Sequence, residues 1–476
     1  MKALLASPEA APYAKTGGLA DVAGALLAEL VKRKVEALLV MPFHRTVKER
    51  FSPEDTGKSI KIKIGAKTHE GRILKDKNTV FLKCDEFYDR AELYGTPEGD
   101  YPDNARRFIF LCKGALEAAK ALGFKPDIVH CHDWQAALIP LYLKTVYSKD
   151  PFFAGVKSVM TIHNLGYQGI FPPEALSLAG LGPELFTPEG VEFYGNVNFL
   201  KAGLVSADMI TTVSPTYARE ILEPENGFGL DGVLRSRSER LRGILNGIDE
   251  KEWDPATDKA LPSNFWAMDL SGKTECRKKL VSECGLKDGR GALTASFVGR
   301  LSSQKGVDAI IGAAPRILSM GVNIVFLGKG DEAYQKALEK FTGDNKGRVF
   351  ARIGFDEEFS HLVYAGSDLF MMPSRYEPCG LGQMIALRYG TPPVAARTGG
   401  LADTITDYDP FSGKGNGFLF EGATPSSLAQ AMKLAVCAFS VPKRREALVK
   451  SGMRAGFTWK KAVLGYTGIY KELTAG

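Results

Sequence analysis

Along the chain, short runs of consecutive apolar residues alternate with stretches in which apolar positions recur every three or four residues. The first pattern marks strands buried on both faces, and the second marks amphipathic helices; their alternation predicts parallel sheets covered by helices. In the first half, strands are expected at Lys2 to Leu5, Glu36 to Met41, Ile128 to Cys131, Val159 to Ile162 and Met209 to Val213, with a helix over Leu19 to Lys32. The rhythm restarts after Asn246, with strands expected at Leu293 to Val298, Asn323 to Phe326, near Val349, at Leu369 to Met372 and at Pro393 to Ala396. Helices are expected over Val307 to Leu318 and Ala333 to Phe341. Between the halves, Gly247 to Phe265 is rich in Asp, Pro and Trp without a period and reads as a hinge or linker. Phe51 to Gly57 and Thr96 to Asp103 read as loops, and Trp459 to Leu473 as a last helix with no strand after it.

The prediction is therefore an α/β protein of two successive doubly wound, Rossmann-like units. A chain of 476 residues is long enough for two cores of about 200 residues or more each. In such sheets ligands bind beyond the carboxyl ends of the strands, so chemistry is sought in the turns that follow them.

Charge narrows the function classes. A formal net charge of +6 is small for this length, and the densest basic runs, Arg235 to Arg242 and Lys443 to Arg445, are short. A nucleic-acid partner is not expected. No apolar stretch reaches membrane-span length, so no membrane partner is expected either. Seven scattered cysteines without a Cys-x-x-Cys pair point to a reducing, cytoplasmic setting.

Several motifs sit just past expected strands. Lys15-Thr16-Gly17-Gly18-Leu19-Ala20-Asp21 opens the first helix, and its paired glycines and Lys15 suit an anionic ligand. The six residues Thr16 to Asp21 recur as Thr398 to Asp403, preceded by Arg397. His130-Cys131-His132-Asp133-Trp134 ends a strand; its two histidines lack a third ligand at metal-site spacing, and a polar strand end is the better reading. Thr161-Ile162-His163-Asn164 occupies the same kind of position, and His163 suits a sugar hydroxyl or a buried hydrogen bond. Arg300 and Lys305 flank a turn after a buried strand, where both cations can reach a diphosphate leaving group. Gly328-Lys329-Gly330-Asp331 is a weak glycine signature, and Asp407-Tyr408-Asp409 reads as a solvated turn. Glu377-Pro378-Cys379-Gly380-Leu381-Gly382 places a carboxylate beside a glycine-rich turn, and Cys379 reads as a packing or substrate-contact thiol.

Together these segments resemble the bacterial glycogen synthase and plant starch synthase family, over essentially the whole chain. The resemblance rests on Lys15 to Asp21, His132 to Trp134, Thr161 to Asn164, Asn246 to Asp249 and Ser374 to Leu381. It implies the GT-B arrangement, two Rossmann-like domains facing a deep cleft: residues 1–245 on the acceptor side, 246–456 for the nucleotide sugar, and a final helix at 457–476 crossing back. It also implies transfer of glucose from ADP-glucose to the non-reducing 4-hydroxyl of an α-1,4-glucan, with retention, no cofactor and no metal. By the same resemblance Lys15 and Gly18 face the donor, and Asp21, Asp133 and Asn164 are substrate-side contacts. His163 lies at the reaction centre, Asn246 holds the sugar, and Arg300 and Lys305 hold the diphosphate. Glu377 and Cys379 hold the glucose, with the Gly380 and Leu381 N–H groups near phosphate. Phe355 stands where the family often has Tyr and would offer an aromatic face to adenine, Gly382 stands where Thr is common, and position 385 is Ile, so a second glutamate of related families is absent. No carboxylate is an obvious nucleophile, which favours a same-face displacement in which the departing phosphate takes the acceptor's proton.

Overall fold

A computed structural model describes residues 1–96, 98–289 and 291–475. Pro97, within the expected Thr96 to Asp103 loop, and Gly476, at the end of the expected last segment, lie outside the described residues. The chain divides into two compact units, Met1–Ile244 together with Trp459–Gly476, and Leu245–Thr458.

The first unit is built on a nine-stranded sheet. Its order is Leu241–Gly243, Met209–Thr212, Lys157–Ile162, Ile128–His132, Lys2–Ala6, Glu36–Pro42, Thr79–Lys83, Lys67–Asp76, Glu54–Ile64. Neighbours are parallel as far as Thr79–Lys83; the last two strands are antiparallel. The expected loop at Phe51 to Gly57 is therefore corrected: Glu54 onward is strand, with Asp55 paired to Leu74 and a register shift before Ser59. The order in which successive strands are added reverses between Lys2–Ala6 and Ile128–His132, so the turns after these two parallel strands flank the topological switch point.

The last helix, Trp459–Thr474, belongs to this first unit. Its Trp459, Val463, Tyr466 and Tyr470 share one core with Val22 and Leu26 of helix Gly18–Lys32 and with Leu5 and Leu39 of the central strands. Burying large side chains of this kind stabilises by about 2 kcal/mol each.

The second unit has a six-stranded, wholly parallel sheet in the order Val349–Ile353, Val322–Gly328, Leu293–Val298, Leu369–Met372, Pro393–Ala396, Phe418–Phe420. Numbered along the chain this is the 3-2-1-4-5-6 order of a dinucleotide-binding sheet, with the switch point between Leu293–Val298 and Leu369–Met372. The four inner strands are short and almost completely buried.

The segment read as a hinge, Gly247 to Phe265, is instead built into the second unit. Asp258 accepts hydrogen bonds from His361 Nδ1 at 2.6 Å and Tyr389 Oη at 2.5 Å, and Trp253 stacks on His361 with ring centroids 4.2 Å apart. Phe265 is fully buried. Side-chain pairing, which leaves no periodic trace, orders this stretch. Among the described residues no helix is long and apolar enough to cross a membrane.

Candidate active site

In the first unit, the turns after Lys2–Ala6 and Ile128–His132 carry the polar groups. Glu9 is buried in the first of them, where its Oε2 accepts from Thr16 N–H at 2.7 Å and Thr16 Oγ1 at 2.8 Å. Thr16 is thereby pinned, and the loop enters helix Gly18–Lys32 through Gly17, whose missing side chain would point into open space. Lys15 Nζ lies 2.8 Å from Asp21 Oδ1, so the lysine expected to face the donor meets the aspartate expected as a substrate-side contact. Burial pushes the Glu9 carboxyl up to about 7 against the lowering effect of its Thr16 hydrogen bonds.

His132, Asp133 and Trp134 each take a separate task. Asp133 adopts a left-handed backbone, φ 54°, and its Oδ1 accepts from His163 N–H at 2.7 Å. The Asn164 N–H is also drawn to this carboxylate, so Asp133 holds the turn that carries both expected site residues. Burial, with Glu9 nearby, pushes Asp133 up to about 7 as well. His132 Nδ1 lies 2.9 Å from His163 Nε2. Trp134 is a packing residue, edge-on to Phe108 and close under Gly169. Behind His132, the His130 ring lies 4.3 Å away and bonds Tyr470 Oη at 2.6 Å and Thr161 Oγ1 at 2.5 Å. All three imidazoles are held below their ordinary range by burial, His132 at about 3, so they stay neutral at physiological pH. His163 is thus a neutral hydrogen-bonding group, with Nε2 committed to His132.

In the second unit, one expected cation, Lys305, and the expected carboxylate, Glu377, meet at the switch point. Lys305 Nζ donates to Glu377 Oε2 at 2.5 Å, and Ser374 Oγ donates to the same oxygen at 3.1 Å. Glu377 is buried and Lys305 half-buried; Arg300, at the start of the same loop, is exposed. The loop reaches this position because Gly306, at φ 68°, passes directly under Pro373, whose carbonyl would lie 2.0 Å from a Cβ. Gly328 and Gly330 serve the same loop, since a Cβ on either would strike the carbonyl of Gly299 or Leu301 at 1.9 or 2.2 Å. That accounts for the weak glycine signature without a ligand.

Cys379 is buried against Asn246, which hydrogen-bonds the thiol through backbone and side chain. Burial pushes the thiol up to about 12, which disqualifies it as a thiolate nucleophile. Asn246 Oδ1 is buried with no hydrogen-bond partner among the described residues. Gly380, at φ 72°, leads through Leu381 into the short helix Gly382–Arg388. Phe355 lies just past strand Val349–Ile353, is 82% exposed, and stands outside the Lys305–Glu377 and Asn246–Cys379 contacts.

The second Thr-Gly-Gly-Leu-Ala-Asp segment is a buttress. A Cβ at Gly399 would lie 2.0 Å from Glu377 O, and one at Gly400 2.0 Å from Cys379 O; Gly400 N–H donates to Glu377 O at 3.0 Å. Arg397, the counterpart of Lys15, is engaged by Glu421 at 2.8 Å and Asp407 at 3.0 Å. Asp409 caps its own turn through the N–H groups of Phe411 and Ser412.

Comparison with known proteins gives the family. The starch synthase catalytic domain model matches residues 2–236, and the glycosyl transferases group 1 model matches residues 290–452. A glycogen synthase of Syntrophotalea carbinolica is 45% identical over 477 residues, spanning 99% of this chain and 99% of that protein. A glycogen synthase of Geotalea daltonii is 45% identical over 480 residues, spanning 100% and 99%. The chain belongs to the glycogen synthase and starch synthase family. Its fold matches the catalytic domain of starch synthase IV from Arabidopsis thaliana, solved bound to ADP and acarbose, with a TM-score of 0.91 at 32% identity, covering 100% of this chain and 99% of that one. The expected fold class, α/β with two Rossmann-like units of the GT-B type, is the class of these glycosyltransferases.

Within this family member, two residues at the first site escaped the sequence reading. Glu9 stands alone after Ser7-Pro8, and nothing in its spacing announces the bonds to Thr16. Tyr94, half-buried near Glu9, Asp133 and Thr16, arrives from a distant loop. Glu9 also yields a pH test. A carboxyl whose folded-state pKa lies above its unfolded value costs stability as pH rises from about 4.5 to about 7, and the full cost persists above that. Glu9→Gln, which keeps an acceptor for Thr16, should melt higher than the parent at pH 8 and lose that advantage at pH 5. A melting difference independent of pH would show that Glu9 is not strained by ionisation.

Proposed function

We propose that the protein transfers glucose from ADP-glucose to the non-reducing 4-hydroxyl of an α-1,4-glucan, glycogen or a maltooligosaccharide, with retention and release of ADP. The single observation that carries the chemistry is the Lys305–Glu377 pair at the switch point of the second unit. Family membership supplies the substrate class, and the ADP held by the starch synthase IV domain supports the choice of base.

In this reading Lys305, with Arg300, neutralises the diphosphate as its bond to glucose breaks. Glu377 both fixes the Lys305 ammonium and accepts from glucose hydroxyls. Asn246 offers its unpartnered Oδ1 to the sugar, Cys379 packs beneath it, and the N–H groups of Gly380 and Leu381 meet phosphate. Phe355 presents its exposed ring to adenine. In the first unit Lys15 and Gly18 meet the donor, Asp21 holds Lys15, and Asp133 presents His163 and Asn164, with neutral His163 at a glucose hydroxyl. Glu377 is committed to an ammonium and a hydroxyl, so the departing phosphate takes the acceptor's proton on the face it leaves. The cations do the work a metal would do, and we propose that no metal or other cofactor takes part. A cytoplasmic setting is consistent with seven free thiols, six of them buried.

The test is nucleotide release from ADP-glucose and UDP-glucose, each with and without glycogen and with EDTA. Glycogen-dependent, EDTA-insensitive ADP release is expected. Faster release from UDP-glucose would reassign the donor, acceptor-independent consumption would indicate an isomerase, and no turnover would indicate a glucan-binding protein.

A further inference from the structure

The first unit holds two exposed aromatic residues in a backbone conformation suited to glycine. Tyr194 and Gly195 form the two-residue turn of the hairpin Glu192–Phe193 and Asn196–Asn198, with φ 47° and 80°. Such a turn needs positive φ at both positions and ordinarily carries Asn-Gly. Phe228 and Gly229 follow the helical turn Pro224–Gly227 with φ 49° and 80°, where Gly or Asn is again the unstrained choice. Each aromatic costs about 1 kcal/mol or more of backbone strain. Neither recovers it by full burial, since Tyr194 is 81% exposed and Phe228 38%.

The two turns are held side by side. A Cβ at Gly229 would lie 3.0 Å from the Phe193 ring and 3.4 Å from the Tyr194 ring, so this glycine lets the second turn close on the first. Phe193 meets Tyr194 edge-on with centroids 4.7 Å apart. Buried Gln168 ties the group together: its Nε2 donates to Phe228 O at 3.0 Å and its Oε1 accepts from Asn198 Nδ2 at 2.6 Å. The residue before it, half-exposed Tyr167, donates its N–H to Asn164 O at 3.2 Å. The aromatic group thus continues directly from the His163–Asn164 turn.

We propose that Tyr194 and Phe228, with Tyr167, form a platform on which pyranose rings of the glucan acceptor stack. The inference rests on the function proposed above. Strain kept in two exposed aromatic turns fits a ligand that rings can recognise, and the flanking polar groups fit a neutral one bearing hydroxyls. A pyranose has an apolar C–H face for the rings and equatorial hydroxyls for Glu192 and Asn196 beside them.

The test compares the parent with Tyr194→Asn, Phe228→Asn and the double variant. Retention by glycogen is measured in donor-free native gels, KM is measured for glycogen and for ADP-glucose, and melting temperature is recorded. The double variant should bind glycogen about tenfold more weakly, a loss of roughly 1.4 kcal/mol. Its KM for glycogen should rise while that for ADP-glucose does not follow. Its melting temperature should hold or rise, because Asn tolerates the left-handed backbone. Equal glycogen retention by parent and variants overturns the platform, and so does a fall in melting temperature that accounts for the lost binding. If the parent itself neither turns over donor nor binds glycogen, the proposed function falls, and the platform with it.

Discussion

Lys305→Ala is expected to lower kcat by about 10²–10³-fold, the range seen when one preorganised charge-stabilising group is lost from an active site. The reason lies in what the ammonium meets. Before reaction it is held by Glu377 at 2.5 Å, within a loop fixed by the Gly306–Pro373 approach, so it is oriented in advance. Charge on the diphosphate grows as its bond to glucose breaks, so the loss should fall on kcat more than on KM for the donor. Removing the ammonium also leaves the buried Glu377 carboxylate to the hydroxyl of Ser374, 3.1 Å away. Arginine should not restore the rate, because a planar fork does not fit where one compact ammonium sits. Initial rates of ADP release at varied donor concentration decide the matter. A kcat within threefold of the parent would remove Lys305 from the leaving-group role.

Gly400→Ala should be a severely damaging methyl addition at the second site, costing about 3 kcal/mol or more of stability. The new Cβ would lie 2.0 Å from Cys379 O, 2.5 Å from its Cα and 2.6 Å from its carbonyl carbon. All three contacts are backbone, so no rotamer change relieves them. The turn from Glu377 to Gly380 would have to move, carrying its carboxylate away from Lys305 and its N–H groups out of position. Gly17→Ala, at the first glycine of the other copy and so the counterpart of Gly399, where a Cβ would lie 2.0 Å from Glu377 O, meets nothing within 4 Å and should leave stability nearly intact. Chemical denaturation of the two variants measures the contrast. Equal stability losses would mean that the copies are packed alike.

Much of this fold was legible because burial leaves a simple mark. Leu369–Met372 and Pro393–Ala396 are continuous apolar runs, Leu293–Val298 is one broken only by Thr294 and Ser296, and the structure starts and stops all three at those residues. The hairpin Glu54–Ile64 and Lys67–Asp76 escaped because its lysines and glutamates line one exposed face. Yet Ile60, Ile62 and Ile64 alternate on the buried one. Gly247 to Phe265 escaped for a different reason, since Asp258, His361 and Tyr389 find each other across more than a hundred residues. The same limit applies to the site. Lys15, Asp133, His163, Lys305 and Glu377 follow strands and announce themselves by position. Glu9 and Tyr94 work through hydrogen bonds and proximity to other chain segments. The repeated hexapeptide shows the limit most clearly, because identical letters serve an open turn in one place and a sealed backbone contact in the other.

The last helix gives the chain an order of completion. The core of the first unit includes Trp459, Val463, Tyr466 and Tyr470, and Tyr470 Oη holds His130 behind the His132–His163 pair. On the ribosome, every residue of the second unit therefore emerges before the first unit has all of its own. The half begun first is finished last, and until the final helix docks it holds its apolar helix face open to solvent. A nascent chain stalled before Trp459 carries a complete second unit and an incomplete first one, so a quality-control protease would find its earliest foothold at the amino-terminal end.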